Sequence, residues 1–270
     1  MSRHGQPTTI AEPELAPTTG NLIVGYDEDT SGAPRDRSGS HNLVVGPGHS
    51  YASHGGFVAG LSNTVSGPNA TVTGGWQNAA GGLASTVAGG RRNRTSSEAS
   101  AITGGYCNVT GFIEPPLNCA FQLELEPSDA MGAVVTGGRQ NEASGVGSVI
   151  SGGGDNQAWD TGDVVSGGSA NIASGEYSAV VAGYTNASLG RMSAVLGGVE
   201  NTTKGFATTI AGGQTNIAQG GTANLEVAGG SVCGGSHNLA RGRNSVVGGG
   251  ANRTASGASD WVAGSLFEDQ

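Results

Sequence analysis

Asparagine returns at intervals of fifteen residues along most of this chain, and that interval is the tightest constraint on what it can fold into. It stands at Asn63, Asn78, Asn93 and Asn108, then at Asn141, Asn156, Asn171, Asn186, Asn201 and Asn216. Other positions keep the same phase. Two residues after each Asn comes a small side chain, such as Ala80, Thr95, Ala158 or Thr203. Four after is usually glycine, as at Gly82, Gly145 and Gly190. Nine after is a branched aliphatic, at Val72, Val87, Ile102, Ile150, Val165, Val180, Val195 and Ile210. A glycine pair follows, as at Gly74 and Gly75. A less regular copy near the end carries Asn238, Val247 and Asn252.

Fifteen residues are too few for a helix pair or a propeller blade, which need roughly thirty or more. They suffice for two short strands and two tight corners. The small residue after Asn and the aliphatic nine after it then face inward from the two strands. The glycine pair and the glycine four after Asn supply the positive φ that closes the corners. Stacking coil on coil pairs each strand with its copies about 4.8 Å above and below. The expected fold is therefore all-β, a parallel β-solenoid of 14–15-residue coils. Asn at one fixed place in every coil is either a left-handed corner residue or a rung of a stacked amide ladder, with the corner the preferred reading.

Composition sharpens this. With 51 glycines in 270 residues and only 5% aromatic side chains, the chain has the makings of a disordered linker, but a linker has no reason to keep a register. Inward positions hold Ala, Thr, Ser and Val, so one chain encloses a thin core whose burial, at about 25 cal/mol per Å², must offset the ordering of many glycines. That balance points to several chains sharing a core, as a homotrimer. A net charge of −9 argues against nucleic acid and anionic membrane as partners. No apolar run approaches the ~20 residues of a membrane span, so no membrane insertion by this chain is expected.

In chain order, residues 1–19 read as a flexible lead-in and 20–265 as the repeat domain, with irregular coils over 20–62. Asn21, Asn42 and Asn63 lie twenty-one residues apart, which suggests coils with longer corner loops. Regular coils occupy 63–111 and 132–220. Between Asn108 and Asn141 the spacing of thirty-three reads as two coils plus about three residues, yet FIEPPLNCAFQLELEPSDAM matches no coil and is taken as an inserted loop over 112–131. Cys107 and Cys119 flank its first part, and a disulfide between them is one reading; Cys233 is then unpaired. Irregular coils and a cap fill 221–265, where GRNSVVGGGANRTASG reads with a period of fourteen. Residues 266–270 form a tail. The opening MSRHGQPTTIAEPELAP has no hydrophobic signal core.

The phrase GEYSAVVAGYTNASLGRMSAVLGG, of the form GxxSxVxGGxxNxAxG, resembles the head repeats of trimeric autotransporter adhesins, the YadA-like heads. The resemblance covers roughly residues 20–265. It implies a left-handed parallel β-roll, a homotrimer, and display on a bacterial surface to bind host matrix or other cells. The chain differs from that pattern in its mostly fifteen-residue coils and in having no heptad stalk, anchor barrel or signal peptide.

Candidate chemistry is sparse, and no catalytic residue, metal site or cofactor is assigned. His41, His49 and His54 lie close in sequence, but His41 and His237 share a repeat position, which favours a corner role over metal binding. Asp155, Asp160 and Asp163 fall within one coil. Paired carboxylates serve glycoside chemistry, yet Asp is ordinary at corners. The acidic loop of Asp27, Glu28 and Asp29 lacks the alternating spacing of a calcium loop. Arg91, Arg92 and Arg94 form the one marked basic cluster and read as solvated turn residues rather than a phosphate site. Trp76 and Trp159 fall on outer corners, where exposed indoles can meet sugar rings.

The functional expectation is a non-enzymatic, extracellular or cell-surface structural head that binds a protein or glycan through loops leaving the solenoid. Phe112, Glu114, Phe121 and Leu123 are the candidate binding loop. Alternatives are a phage or injection-system tail-fibre component and a polysaccharide-acting solenoid enzyme. An ice-binding solenoid wants a flat Thr ladder, whereas Thr95, Thr110 and Thr203 point inward.

Overall fold

The computed structural model describes residues 20–26, 28, 35–111, 130–220 and 229–264. The chain divides into two compact units, residues 1–140 and 141–270. Each unit is a parallel β-solenoid, and among the described residues there is no helix.

In the first unit, one sheet runs from Leu22–Val24 through Leu43–Val45, Phe57–Ala59, Thr71–Val72, Thr86–Val87 and Ala101–Ile102 to Val134–Val135. Its partner runs from Ser50–Tyr51 through Thr64–Val65, Ala79–Ala80 and Arg94–Thr95 to Val109–Thr110. The second unit repeats the plan, with Val149–Ile150 to Trp261–Val262 in one sheet and Glu142–Ala143 to Thr254–Ala255 in the other. We call the two sheets of each unit aliphatic and asparagine-side, after the residues that begin or fill them. Every pair is parallel and in register at the repeat interval, as in Thr71↔Thr86 and Ala158↔Ala173.

The interior is a double column of side chains. From the aliphatic sheet come Val72, Val87, Ile102, Ile150, Val165, Val180, Val195, Ile210 and Val247, each at most 1% exposed. From the other sheet come Ala80, Thr95, Thr110, Ala143, Ala158, Ala173, Ser188, Thr203 and Ala218, all fully buried. The inward hydroxyls pair with a third buried column seven residues after Asn: Thr95 with Ser85 at 2.9 Å, Thr110 with Ser100 at 2.9 Å, and Thr203 with Ser193 at 2.7 Å. Thr95, Thr110 and Thr203 therefore enter a dry core at little cost, because each hydroxyl has a partner there, whereas the third-column hydroxyls of Ser148 and Ser245 are buried without one.

The asparagines are rungs, not corners, which corrects the preferred sequence reading. Asn78 is fully buried; its backbone N–H donates to Asn63 Oδ1 at 2.8 Å, and its Nδ2 donates to Gly74 O and Gly90 O, both at 3.0 Å. The same three bonds recur at Asn93, Asn156, Asn171, Asn186, Asn201, Asn216 and Asn238. Asn108 and Asn141 are equally buried, with side chains on Gly138 O and Gly153 O. The left-handed residue is the one before: Gln77, Arg92, Cys107, Asp155, Glu200 and their equivalents have φ near 55°. A left-handed non-glycine residue costs about 1–2 kcal/mol, and the adjacent rung, with about 1 kcal/mol from each hydrogen bond, offsets it.

Three further sequence readings are corrected. Asn252 is not a rung: it is the left-handed corner residue at φ 54, and Arg253 stands in the rung position, its N–H on Asn238 Oδ1 at 3.0 Å. The last coil therefore keeps fifteen residues. Asn21 and Asn42 sit at the opposite corner from the ladder, before the aliphatic strands, with Asn42 N–H on Asn21 Oδ1 at 2.9 Å and Gly56 N–H on Asn42 Oδ1 at 2.8 Å. In that coil His49 fills the rung, fully buried, its Nδ1 accepting from Asn63 N–H at 3.2 Å. Finally, Ala101 pairs directly with Val134, so the thirty-three-residue interval is one coil carrying an excursion, not two coils.

Candidate functional site

The interior is filled, so any site must be built from outward columns. Fifteen-residue stacking makes each outward position a vertical row whose members lie about 4.8 Å apart. Two rows differ from their surroundings.

The first lies two residues before the asparagine, at the ladder corner of the first unit. Single parallel bridges link Leu61, Trp76, Arg91, Tyr106 and Arg139 in that order. The guanidinium carbon of Arg91 sits 4.3 Å from the Trp76 ring centroid and 5.6 Å from that of Tyr106. One cation is thus held between two aromatic rings, both within cation–π range. In the adjacent row Arg92 Nε donates to Gln77 Oε1 at 3.0 Å, which fixes a second guanidinium beside the first. Arg94 follows on the strand, half-buried, and desolvation lowers its pKa. The sequence treats Arg91, Arg92 and Arg94 as a cluster and Trp76 as isolated; the coil geometry unites Trp76 with Arg91. Tyr106 and Arg139 were missed, although both stand two residues before an asparagine and are found by reading at the repeat interval.

The second feature is the outer face of the aliphatic sheet. Its side chains flank the buried aliphatic of each strand. In the first unit they run from Leu22 and Val24 through Thr71 and Thr73 to Val134 and Thr136; in the second, from Val149 and Ser151 through Ala179, Val181, Ala194 and Leu196 to Trp261 and Ala263. None is charged in either unit. Val181, Leu196 and Trp261 are 43%, 48% and 69% exposed. Charge on the opposite sheet is ordinary, with Arg94 and Glu142 in its strands and Lys204 and Arg241 directly after them.

Other candidates have structural roles or are dispersed. Asp155 is a left-handed ladder-corner residue, at the far end of its coil from Asp160 and Asp163. Asp163 is fully buried in the serine column; its Oδ1 accepts from Ser178 N–H at 2.8 Å and Ser178 Oγ at 3.0 Å, and its Oδ2 from Asp160 N–H at 2.9 Å. Loss of solvent pushes its carboxyl up to about 6, against the pull of those donors. Glu142 is pushed further, to about 7, by burial, with the Trp159 indole as an opposing donor. Trp159 thus serves a buried acid. His41 and His54 are exposed while His49 is buried in the ladder, and among the described residues no group of three metal-ligating side chains converges. Cys107 is buried at the ladder corner and Cys233 is exposed and free. Cys119, Phe112, Glu114, Phe121 and Leu123 lie outside the described residues. No family model matches the chain, and no curated protein resembles it in sequence.

Proposed function

We propose that this chain is a non-enzymatic structural and adhesive module of the extracellular or cell-surface type, whose copies associate, as a homotrimer, through the outer faces of their aliphatic sheets. The observation that carries the reading is the absence of charge on that face. Seven strands in the first unit and eight in the second present two outward side chains each. At the chain's 12% charge content, thirty exposed positions on a solvated face carry about three or four charges. A flat surface of Val, Ala, Thr and Ser is what a parallel face needs to bury itself against a copy, since burial at about 25 cal/mol per Å² rewards it and no ion is stranded. The thin core supports the same reading. A filled interior leaves the outward corner rows as ligand-binding surfaces.

Light scattering on a size-exclusion column tests the association. The wild-type chain is expected near 80 kDa, three times 26.5 kDa. Ala194→Glu with Thr209→Glu, on neighbouring strands of the second unit, places like charges on the face and is expected to yield monomer with an unchanged β-sheet circular dichroism spectrum. A monodisperse wild-type monomer overturns the proposal.

A further inference from the structure

We propose that the ladder corner of the first unit binds an acidic, carboxylate-bearing polysaccharide along the row Trp76, Arg91, Tyr106 and Arg139. The inference deepens the adhesive reading and rests on it, but it stands on a different surface from the associating face.

The row alternates ring, cation, ring, cation on successive coils. At about 4.8 Å per coil, like members recur at about 10 Å along one straight edge. A linear polymer lying along that edge meets aromatic rings and positive charges in strict alternation. The matching ligand carries one anionic group for every two rings, which is the pattern of a polysaccharide with an alternating uronic acid. Sugar rings present apolar C–H faces that pack against the exposed parts of the indole and phenol rings, as Trp and Tyr pair an apolar body with a polar edge. A guanidinium meets a carboxylate with two parallel N–H donors, a geometry a lysine does not offer. Arg91 is held in place for it by the two rings, 4.3 and 5.6 Å from its guanidinium carbon. Arg92, tied by one nitrogen to Gln77, adds a second donor set in the next row.

Charge argues for the same class. The protein carries net −9, yet across the ladder-corner rows from two residues before each asparagine to one after, over the coils of Asn63, Asn78, Asn93 and Asn108, there is no Asp or Glu, against Arg91, Arg92 and Arg94; the coil of Asn141 adds Arg139 and the buried Glu142. A local basic strip on an acidic body attracts a sparsely charged polyanion and repels a dense one. Double-stranded DNA carries a phosphate about every 1.7 Å, far closer than these cations, so nucleic acid is the disfavoured polyanion. The rings also need a ligand with stackable faces, which a bare phosphate lacks.

The test uses the full-length chain and, as probe, hyaluronan oligosaccharides, in which a uronic acid alternates with a neutral sugar, with neutral dextran and oligo-dT as comparators, measured by calorimetry at low and high salt. The expected result is salt-sensitive binding of the hyaluronan oligosaccharides and none of dextran. Arg91→Gln and Trp76→Ala should each weaken it by at least about tenfold without lowering the unfolding temperature of Arg91→Gln. Arg191→Gln, which removes the exposed ion pair to Glu176 on the second unit, should leave binding unchanged. No binding of the hyaluronan oligosaccharides by wild type, equal binding by Arg91→Gln and Trp76→Ala, or tighter binding of oligo-dT each overturns the site. Light scattering on the same samples reports self-association separately, so a failed site and a failed association are told apart.

Discussion

At the scale of single residues, the buried amide does work that the period alone does not reveal. Each rung joins three coils: it accepts from the next asparagine's N–H and donates to a carbonyl of its own coil and to one of the coil above. Asn171→Ala leaves Asn186 N–H, Gly167 O and Gly183 O without these partners. At about 1 kcal/mol for each, the substitution should cost about 3 kcal/mol. Urea unfolding checks this, with exposed Gln214→Ala expected within about 0.5 kcal/mol of wild type. The buried acids make a second prediction, in pH. Burial raises Glu142 from 4.5 to about 7 and Asp163 from 3.8 to about 6. Between each pair of values the folded chain keeps a proton that the unfolded chain has released, so stability is greatest below the ordinary carboxyl range and falls as pH rises toward the folded values. Thermal midpoints should therefore decline from pH 4.5 to pH 7. Glu142→Gln, which keeps an acceptor for Trp159, should remove the decline above pH 6 and leave the part that Asp163 causes below it. Parallel wild-type and variant curves would refute the assignment to Glu142.

At the scale of the coil, the architecture was legible and the division of labour within it was not. Regular return of a branched aliphatic with a small residue seven positions earlier specifies two strands and two corners, and the parallel solenoid follows from register. What the period lacks is direction: it says that Asn recurs at a bend, not whether its side chain faces in or out. Glycine shows the same limit. Gly75 has the expected positive φ of 82°. Gly82, four after Asn78, does not; it is glycine because a methyl group there would strike the Ser97 carbonyl of the next coil. Both look alike in sequence, since one amino acid meets either demand, left-handed backbone or close approach. The aromatic–arginine row was hidden for another reason. Read along the chain, Arg91, Arg92 and Arg94 form a cluster and Trp76 stands apart. Read down the coils, Trp76, Arg91 and Tyr106 are neighbours, and Arg139 joins them once the long interval is recognised as a single coil.

At the scale of the molecule, insertions show which corner carries the fold. Ala101 pairs with Val134, thirty-three residues on, and Thr209 with Ser231, twenty-two on, so these coils exceed the fifteen-residue repeat by eighteen and seven. In both, the asparagines before and after stay buried and the extra residues fall between the asparagine-side strand, Val109–Thr110 or Ile217–Ala218, and the next aliphatic-sheet strand, at the corner opposite the ladder. Where extra residues enter the ladder corner instead, between Leu22–Val24 and Leu43–Val45, the rung position is filled by Arg35 rather than asparagine. The ladder corner is thus the constrained one, and the opposite corner is the place from which the chain can project a loop without losing its register. Loop closure itself is inexpensive, growing by only about 0.6 kcal/mol for each doubling of length. A seven-residue Gly-Ser insert after Arg191, at the permissive corner of the second unit, should therefore cost about 1–2 kcal/mol and leave the spectrum unchanged. The same insert after Val199 displaces Asn201, and with it four hydrogen bonds, to Asn186 Oδ1, Gly197 O, Gly213 O and from Asn216 N–H. At about 1 kcal/mol each it should cost about 4 kcal/mol. Paired urea titrations decide between the two corners: equal losses would mean that the ladder confers no more stability than an ordinary turn.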